Sequence, residues 1–174
     1  SVDSWSALYM QDVVVVSGFK IGLGVVVFNI FMVIGRLFGD RVGDILGVRR
    51  FLITQLLFGI VACYVLYRYA GLWSSLLGFG LAGLGVSNLV PVAYSQAGKS
   101  TNIETPSAIA IISIFTYGAF MLAPPLEGLI ADWFNLSAIF LAMFILFLIA
   151  LAVIGLWGGR HLENVIAERQ EGLP

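Results

Sequence analysis

Five stretches of this chain, at about residues 17–38, 51–67, 72–97, 107–130 and 136–157, are too long and too apolar to be solvated by water. A helix of roughly 20 mostly apolar residues crosses the hydrocarbon core of a bilayer. Irregular backbone facing lipid would leave polar groups unsatisfied. The stretches therefore predict an all-α, polytopic transmembrane helix bundle of five helices over residues 13–157. Ser17 stands where an N-cap of the first belongs. Short connections make consecutive helices antiparallel neighbours. Composition agrees: 11% of the 174 residues are charged, against about a quarter in a soluble domain.

The few charges set an orientation. Arg36, Arg41, Arg49, Arg50, Lys99, Arg160 and Arg169 fall on one side of such a bundle, and Lys20 and Arg68 on the other. Positive residues collect on the cytoplasmic side. The chain is thus expected to be multi-pass in the cell (inner) membrane, with residues 158–174 as a cytoplasmic tail after Gly158 and Gly159 end the last helix. Trp5, Trp73, Trp133 and Tyr67 at the outer ends and Trp157 at the inner end suit headgroup depth. The opening SVDSWSALYM carries no signal peptide and reads as an element already under way. Residues 1–12 are expected to be the outer end of a truncated helix and its loop. A net charge of −1 leaves no basic patch to neutralise phosphates, which argues against nucleic acid as a partner.

Six of the nineteen charged side chains lie in GRLFGDRVGDILGVRR, residues 35–50. A solvated cytoplasmic loop would account for the arginines. It would not account for Asp40 and Asp44, or for glycines at 35, 39, 43 and 47. Small residues at four-residue spacing let helices approach closely, and an aspartate beside them can sit against the positive end of another helix.

The stretch resembles the signature loop of the major facilitator superfamily, through Gly35, Gly39-Asp40-Arg41, Gly47 and Arg49-Arg50. In that family the loop joins the second and third helices and recurs between the eighth and ninth. GFGLAGLGVSNLVPVAYSQAGK (78–99) is similar to the glycine-rich tenth helix of sugar-permease-like bacterial members. YGAFMLAPPLEGLIADWFNLSAIFLA (117–142) resembles the eleventh helix and the turn after it. DSWSALYM resembles the outer end of the seventh. The resemblance implies the C-terminal six-helix half of a secondary active transporter that moves a small organic solute by alternating access. Its partners would be a small-molecule substrate, the lipid bilayer and the missing N-terminal half. Family members sandwich substrate between two halves near the midplane.

On that reading Gly35, Arg36, Gly39, Asp40, Arg41, Gly47, Arg49 and Arg50 form a conformational latch. Asp40 would sit against a helix end of the other half, with Arg41 or Arg36 balancing its charge. Asn29, Asn88, Tyr117 and Tyr94 are the candidate cavity residues. Each has a structural alternative: an interhelical clasp for Asn29, repair of the Pro91 kink for Asn88 or Ser87, packing for Tyr117, and a gate or an interface for Tyr94. Gln55 and Cys63 read as helix packing, Lys20 as a snorkelling cation, and His161 as a tail residue. Pro124-Pro125 should break or bend the fourth helix near its outer end. Glu127 counts to the outer boundary, about 30 Å along the helix from Ser107. No membrane-buried carboxylate is then visible, so protons, if they are coupled, would need an acid in the missing half.

Neither a nucleophile–base pair nor metal-ligand spacing nor a phosphate loop is present, which argues against an enzyme and against cofactors or metals. The competing reading is a non-transporting membrane scaffold, or a half-size protein acting through a partner or homodimer. Small-residue pairs at Gly18/Gly22 and Gly155/Gly159 would serve such contacts.

Overall fold

Glycines at 78, 80, 83 and 85 make one helix narrow on two sides, and the bundle is assembled around it. The computed structural model describes residues 2–99 and 104–171, with side chains for 5–99 and 104–156. Seven helices follow in order: α1 (Val2–Asp12), α2 (Leu23–Leu46), α3 (Val48–Arg68), α4 (Leu72–Val86), α5 (Leu89–Gly98), α6 (Thr105–Trp133) and α7 (Leu136–Glu171). A 3-10 turn, Gly18–Gly22, leads into α2. Among the described residues five spans are long and apolar enough to cross a membrane: Gly18–Leu46, Val48–Arg68, Leu72–Gly98, Thr105–Trp133 and Leu136–Leu156.

The close approach falls on α4. A Cβ at Gly83 would meet the α2 backbone at Phe28 O and, at 3.0 Å, Met32 N. One at Gly85 would lie 2.6 Å from Gly59 N of α3. Neither wall can yield, because both are backbone. Gly78 and Gly80 accept the side chains of Leu66 and Phe31 in the same way. With α2 and α3 on its flanks and α7 across α3, α4 is the axle of the fold.

The apolar core lies toward one end. Tyr9 and Met10 of α1 insert among Phe28, Ala62, Leu66, Phe79, Ala82 and Phe140. Tyr9 meets Phe140 and Phe79 edge-on, with ring centroids 5.0 and 5.9 Å apart, a geometry that aligns ring edge with ring face. Its hydroxyl donates to Leu66 O, a carbonyl near the end of α3. Thus α1 plugs the end of the bundle rather than trailing from it.

Five expectations about where helices start, break and end are corrected. The stretch 39–50 is not a loop: α2 continues to Leu46 and α3 starts at Val48, so Gly47 alone joins them. Its φ of 77° and ψ of 149° lie in a region essentially confined to glycine, which allows so abrupt a reversal. Ser17 precedes the 3-10 turn and makes no side-chain cap bond. The third span is two helices, broken at Ser87 and Asn88. Gly158 and Gly159 do not end α7, which runs to Glu171. Two glycines cost about 1 kcal/mol each in a helix, and Leu162, Glu163, Ala167, Glu168 and Arg169 are good helix formers that offset them. The side chains of Trp157, Arg160, His161 and Arg169 lie outside the described residues. The α6 helix runs unbroken through Pro124 and Pro125. At the α6–α7 turn, Asn135 caps α7 by accepting the Ala138 N–H on its side-chain oxygen at 2.8 Å.

Candidate functional site: a polar knot at a broken helix

The break in the third span follows from Pro91. A helical residue 91 would donate its N–H to Ser87 O, four residues back. Proline has no such proton, and its ring crowds that carbonyl. The freed carbonyl finds a donor on another helix: Arg36 of α2 gives its Nε–H to Ser87 O at 3.2 Å. Asn88, in the gap between α4 and α5, turns its amide back onto α2. Its Nδ2 donates to Gly35 O at 2.8 Å and lies 2.9 Å from Ser87 Oγ. Ser87 Oγ donates in turn to Leu84 O at 2.8 Å.

Gln55 of α3 closes the knot. In the amide orientation that satisfies both its ends, its nitrogen donates to Gly85 O at 2.9 Å and Leu84 O at 2.6 Å. Its oxygen accepts from Asn88 Nδ2 at 3.0 Å. Gln55, Ser87 and Asn88 are all buried. A polar network away from water holds only when its members satisfy one another. Three helices meet here through hydrogen bonds rather than shape alone.

The knot also accounts for two glycines of the 35–50 stretch. A methyl group at Gly35 would sit 2.5 Å from Ser87 Oγ, and one at Gly39 2.6 Å from Asn88 Cγ. Both positions are vacant so that the broken helix can dock against α2. Arg49 is exposed but likewise tied to this bundle, its Nη2 donating to Gly155 O of α7 at 3.0 Å. Asp40, Arg41 and Asp44, on the last turns of α2, are exposed as well. No hydrogen bond or ion pair engages them among the described residues. Arg50 is exposed too, and its carbonyl accepts from Thr54.

The four expected cavity residues are found in different settings. Asn29 is exposed on α2 and donates its amide to Val25 O at 3.0 Å. Tyr117 is 71% exposed on α6. Tyr94 of α5 shares a 3.1 Å hydrogen bond with Ser113 of α6, so it joins those two helices. Asn88 is buried in the knot and faces no cavity. The structure brings Asn88 together with Gly35, Gly39 and Arg36; the other three stand apart from that group.

Two features escaped the sequence reading. The partnership of Arg36 with Ser87 O was foreshadowed by Pro91 standing four residues beyond Ser87, but nothing in a sequence says which helix supplies the donor. Glu127 is only 7% exposed, although it lies six residues, about 9 Å, from the end of α6. A buried carboxyl therefore exists in this chain, contrary to expectation. The Trp5 ring of α1 lies beside the next residue, Gly128.

A bundle of apolar helices with glycine-tight seams and a polar knot at a broken helix is the build of a polytopic membrane protein. The sequence pattern that defines the Major Facilitator Superfamily matches residues 4–172, and the chain belongs to that family. It is 33% identical over 157 residues, 88% of its length, to the membrane protein MosC of Rhizobium meliloti. It is 31% identical over 140 residues, 80% of its length, to an uncharacterised MFS-type transporter of Yersinia pestis. The chain spans only 37% and 36% of those two proteins. An uncharacterised transporter of Sinorhizobium fredii is 34% identical over 131 residues, with 74% of this chain and 34% of that protein covered. No solved structure matches the chain significantly.

Proposed function

We propose that the chain is most of the C-terminal half of a secondary active carrier in the cell's inner membrane, which moves a small organic solute by alternating access. Family membership supports a transporter rather than an enzyme. So do two of its relatives, which are named as transporters, and they weigh against a non-transporting scaffold. The chain covers little more than a third of each relative, as half of a two-armed carrier would. The cytoplasmic end is the one bearing Asp40 and Arg41, by the distribution of positive charge.

The observation that carries the mechanism is the contrast within residues 35–50. Gly35, Arg36, Gly39 and Arg49 have partners inside this bundle, whereas Asp40, Arg41 and Asp44 have none among the described residues. The latch between the halves therefore reduces to Asp40 and Arg41, with Asp44 and Arg50 beside them and Gly47 setting the reversal. In one state Asp40 rests against the positive N-terminal end of a helix in the other half. Such an interaction is worth about 1–2 kcal/mol, enough to shift a balanced equilibrium about tenfold. Asn29 and Tyr117, exposed on α2 and α6, are the side chains offered to solute. Where protons drive the cycle, Glu127 is the acid of this half to test.

Two measurements on the full-length protein test the reading. Distances between spin labels placed across the two halves should redistribute between inward-open and outward-open forms when Asp40→Asn is introduced; unchanged distributions refute the latch. A thermal-shift screen against sugars, sugar acids, amino acids and lipophilic cations, followed by counterflow in liposomes, should find a transported solute. A protein that no compound stabilises and that shows no counterflow is not this carrier.

A further inference from the structure

The bundle holds a second feature besides the knot and the latch. A cavity of about 520 Å³ lies within this half, walled by α2, α3, the α4–α5 segment, α6 and α7. Phe28, Met32, Leu56, Cys63, Phe140 and Phe147 give it an apolar lining, and Arg36 is its one charged wall residue. Phe28, Met32 and Arg36 follow one another on successive turns of α2, so the cation lies about 12 Å from the aromatic end. The cavity opens sideways past Val90, Phe120 and Leu146, which are 40%, 64% and 64% exposed. All three are apolar, so the opening suits an acyl chain better than a hydrated solute.

Arg36 gives the cavity a polarity. Its Nε–H is taken by Ser87 O, which fixes the guanidinium plane at the end of the cavity nearer Asp40 and Arg41. No acceptor engages its terminal amino groups among the described residues. A cation at this depth is costly unless an anion or polar group meets it, and a guanidinium fork suits phosphate oxygens. The site thus has a cation toward one membrane surface and a long apolar slot leading from it toward the midplane. A phospholipid has the complementary arrangement, with its head at its own surface and its chain pointing inward.

We propose that this cavity is a binding site for an anionic phospholipid, with one acyl chain in the slot and the phosphate on Arg36. The proposal rests on the chain lying in a membrane and not on the carrier reading. An occupied slot would fill the space between α4 and α7 and hold Arg36 in place on Ser87 O. The polar knot would then be sensitive to the lipid around it.

The test is photo-crosslinking of the full-length protein in bilayers, using phosphatidylglycerol and phosphatidylcholine that carry the same diazirine-bearing acyl chain. Phosphatidylglycerol should label the segments around Cys63 and Met143 several-fold more than phosphatidylcholine does. Arg36→Gln should abolish that preference, and Arg36→Lys should keep part of it. Ala150→Phe, which narrows the cavity, should reduce labelling by both lipids, and it decides the matter if Arg36→Gln fails to fold. Equal labelling by the two lipids overturns the proposal. So does a preference that survives Arg36→Gln, undiminished labelling in Ala150→Phe, or displacement of the label by water-soluble organic anions, which would mark a solute pocket.

Discussion

Helices α4 and α6 both lie in spans of membrane length and both carry glycine inside an apolar run, yet the bundle holds them in opposite ways. Gly83 and Gly85 of α4 lie against backbone of α2 and α3, Gly78 and Gly80 lie against side chains of α3 and α2, and Ser75, Phe79 and Ala82 are buried. On α6 only Ala108 and Glu127 are buried among its described residues. Ile114, Phe115, Phe120 and Met121 are all more than 60% exposed, and a Cβ at Gly118 would meet nothing within 4 Å. One helix is an axle and the other a wall with an open face. Glycine thus has two meanings in one chain, and only packing tells them apart.

The sharpest way to break this comparison is one substitution made in both places. Gly83→Ala forces a methyl group into the α2 backbone and should destabilise by about 2 kcal/mol, the cost of overpacking against a wall that cannot relax. Gly118→Ala has room, and should stabilise by up to about 1 kcal/mol through lost unfolded-state freedom. Heating the protein with a thiol-reactive dye reads both, because Cys63 is buried and reacts on unfolding. Shifts of the same sign in the two variants would erase the distinction between axle and wall.

A second experiment asks whether Gly39 is glycine for Asn88's sake. Gly39→Ala alone should cost about 1–2 kcal/mol by displacing the Asn88 amide from Gly35 O. Asn88→Ala should cost a similar amount through the lost hydrogen bonds. Combined, they should cost less than their sum by about 1 kcal/mol, since the clash needs both partners. Strict additivity in the same thermal assay would mean that Gly39 serves something else, such as the other half of the carrier.

How much of this was legible beforehand follows from which forces act locally. The spans were readable because hydrophobic length is a property of contiguous sequence, and all five are present, with boundaries moved by several residues. The kink was readable from Pro91, and so was the candidacy of Ser87 and Asn88 to repair it. What could not be read was the company these residues keep. Arg36 looked like an ordinary cytoplasmic-side cation, and its bond to Ser87 O exists only because α2 and α4 pack face to face. Asn88 looked like a cavity residue because an amide at depth is costly, and the structure places its partners 53 residues away at Gly35. Glu127 looked superficial because helical rise measures depth along one helix and knows nothing of what packs against it. The 39–50 segment looked like a loop because charge and glycine usually mark one. Here α2 extends beyond the apolar layer, and one glycine with positive φ makes the turn.

The two tyrosines sharpen the comparison on the wall itself. Tyr94→Phe removes the hydrogen bond to Ser113 that joins α5 to α6, and should lower stability by about 1 kcal/mol. Tyr117→Phe should leave stability within about 0.5 kcal/mol, because its hydroxyl is exposed and has no partner among the described residues. If Tyr117 contacts solute, its variant should instead change transport kinetics. A stability loss at Tyr117 equal to that at Tyr94 would show that the open face of α6 is covered in the native protein.

The smallest effect tests the logic of the knot most directly. If Arg36 stands in for the proton that Pro91 lacks, restoring that proton should make Arg36 less important. Pro91→Ala gives residue 91 an N–H that can donate to Ser87 O and lets α4 and α5 approach one continuous helix. In the parent protein Arg36→Gln should cost about 1 kcal/mol, the worth of a typical hydrogen bond. In the Pro91→Ala background the same change should cost about half as much, because Ser87 O retains a partner. The coupling is positive and small, so it needs replicate melts of all four proteins, but its sign is decisive. If Arg36→Gln costs as much with alanine at 91 as with proline, the contact at 3.2 Å is incidental to the break. The broken helix would then be held by Asn88 and Gln55 alone.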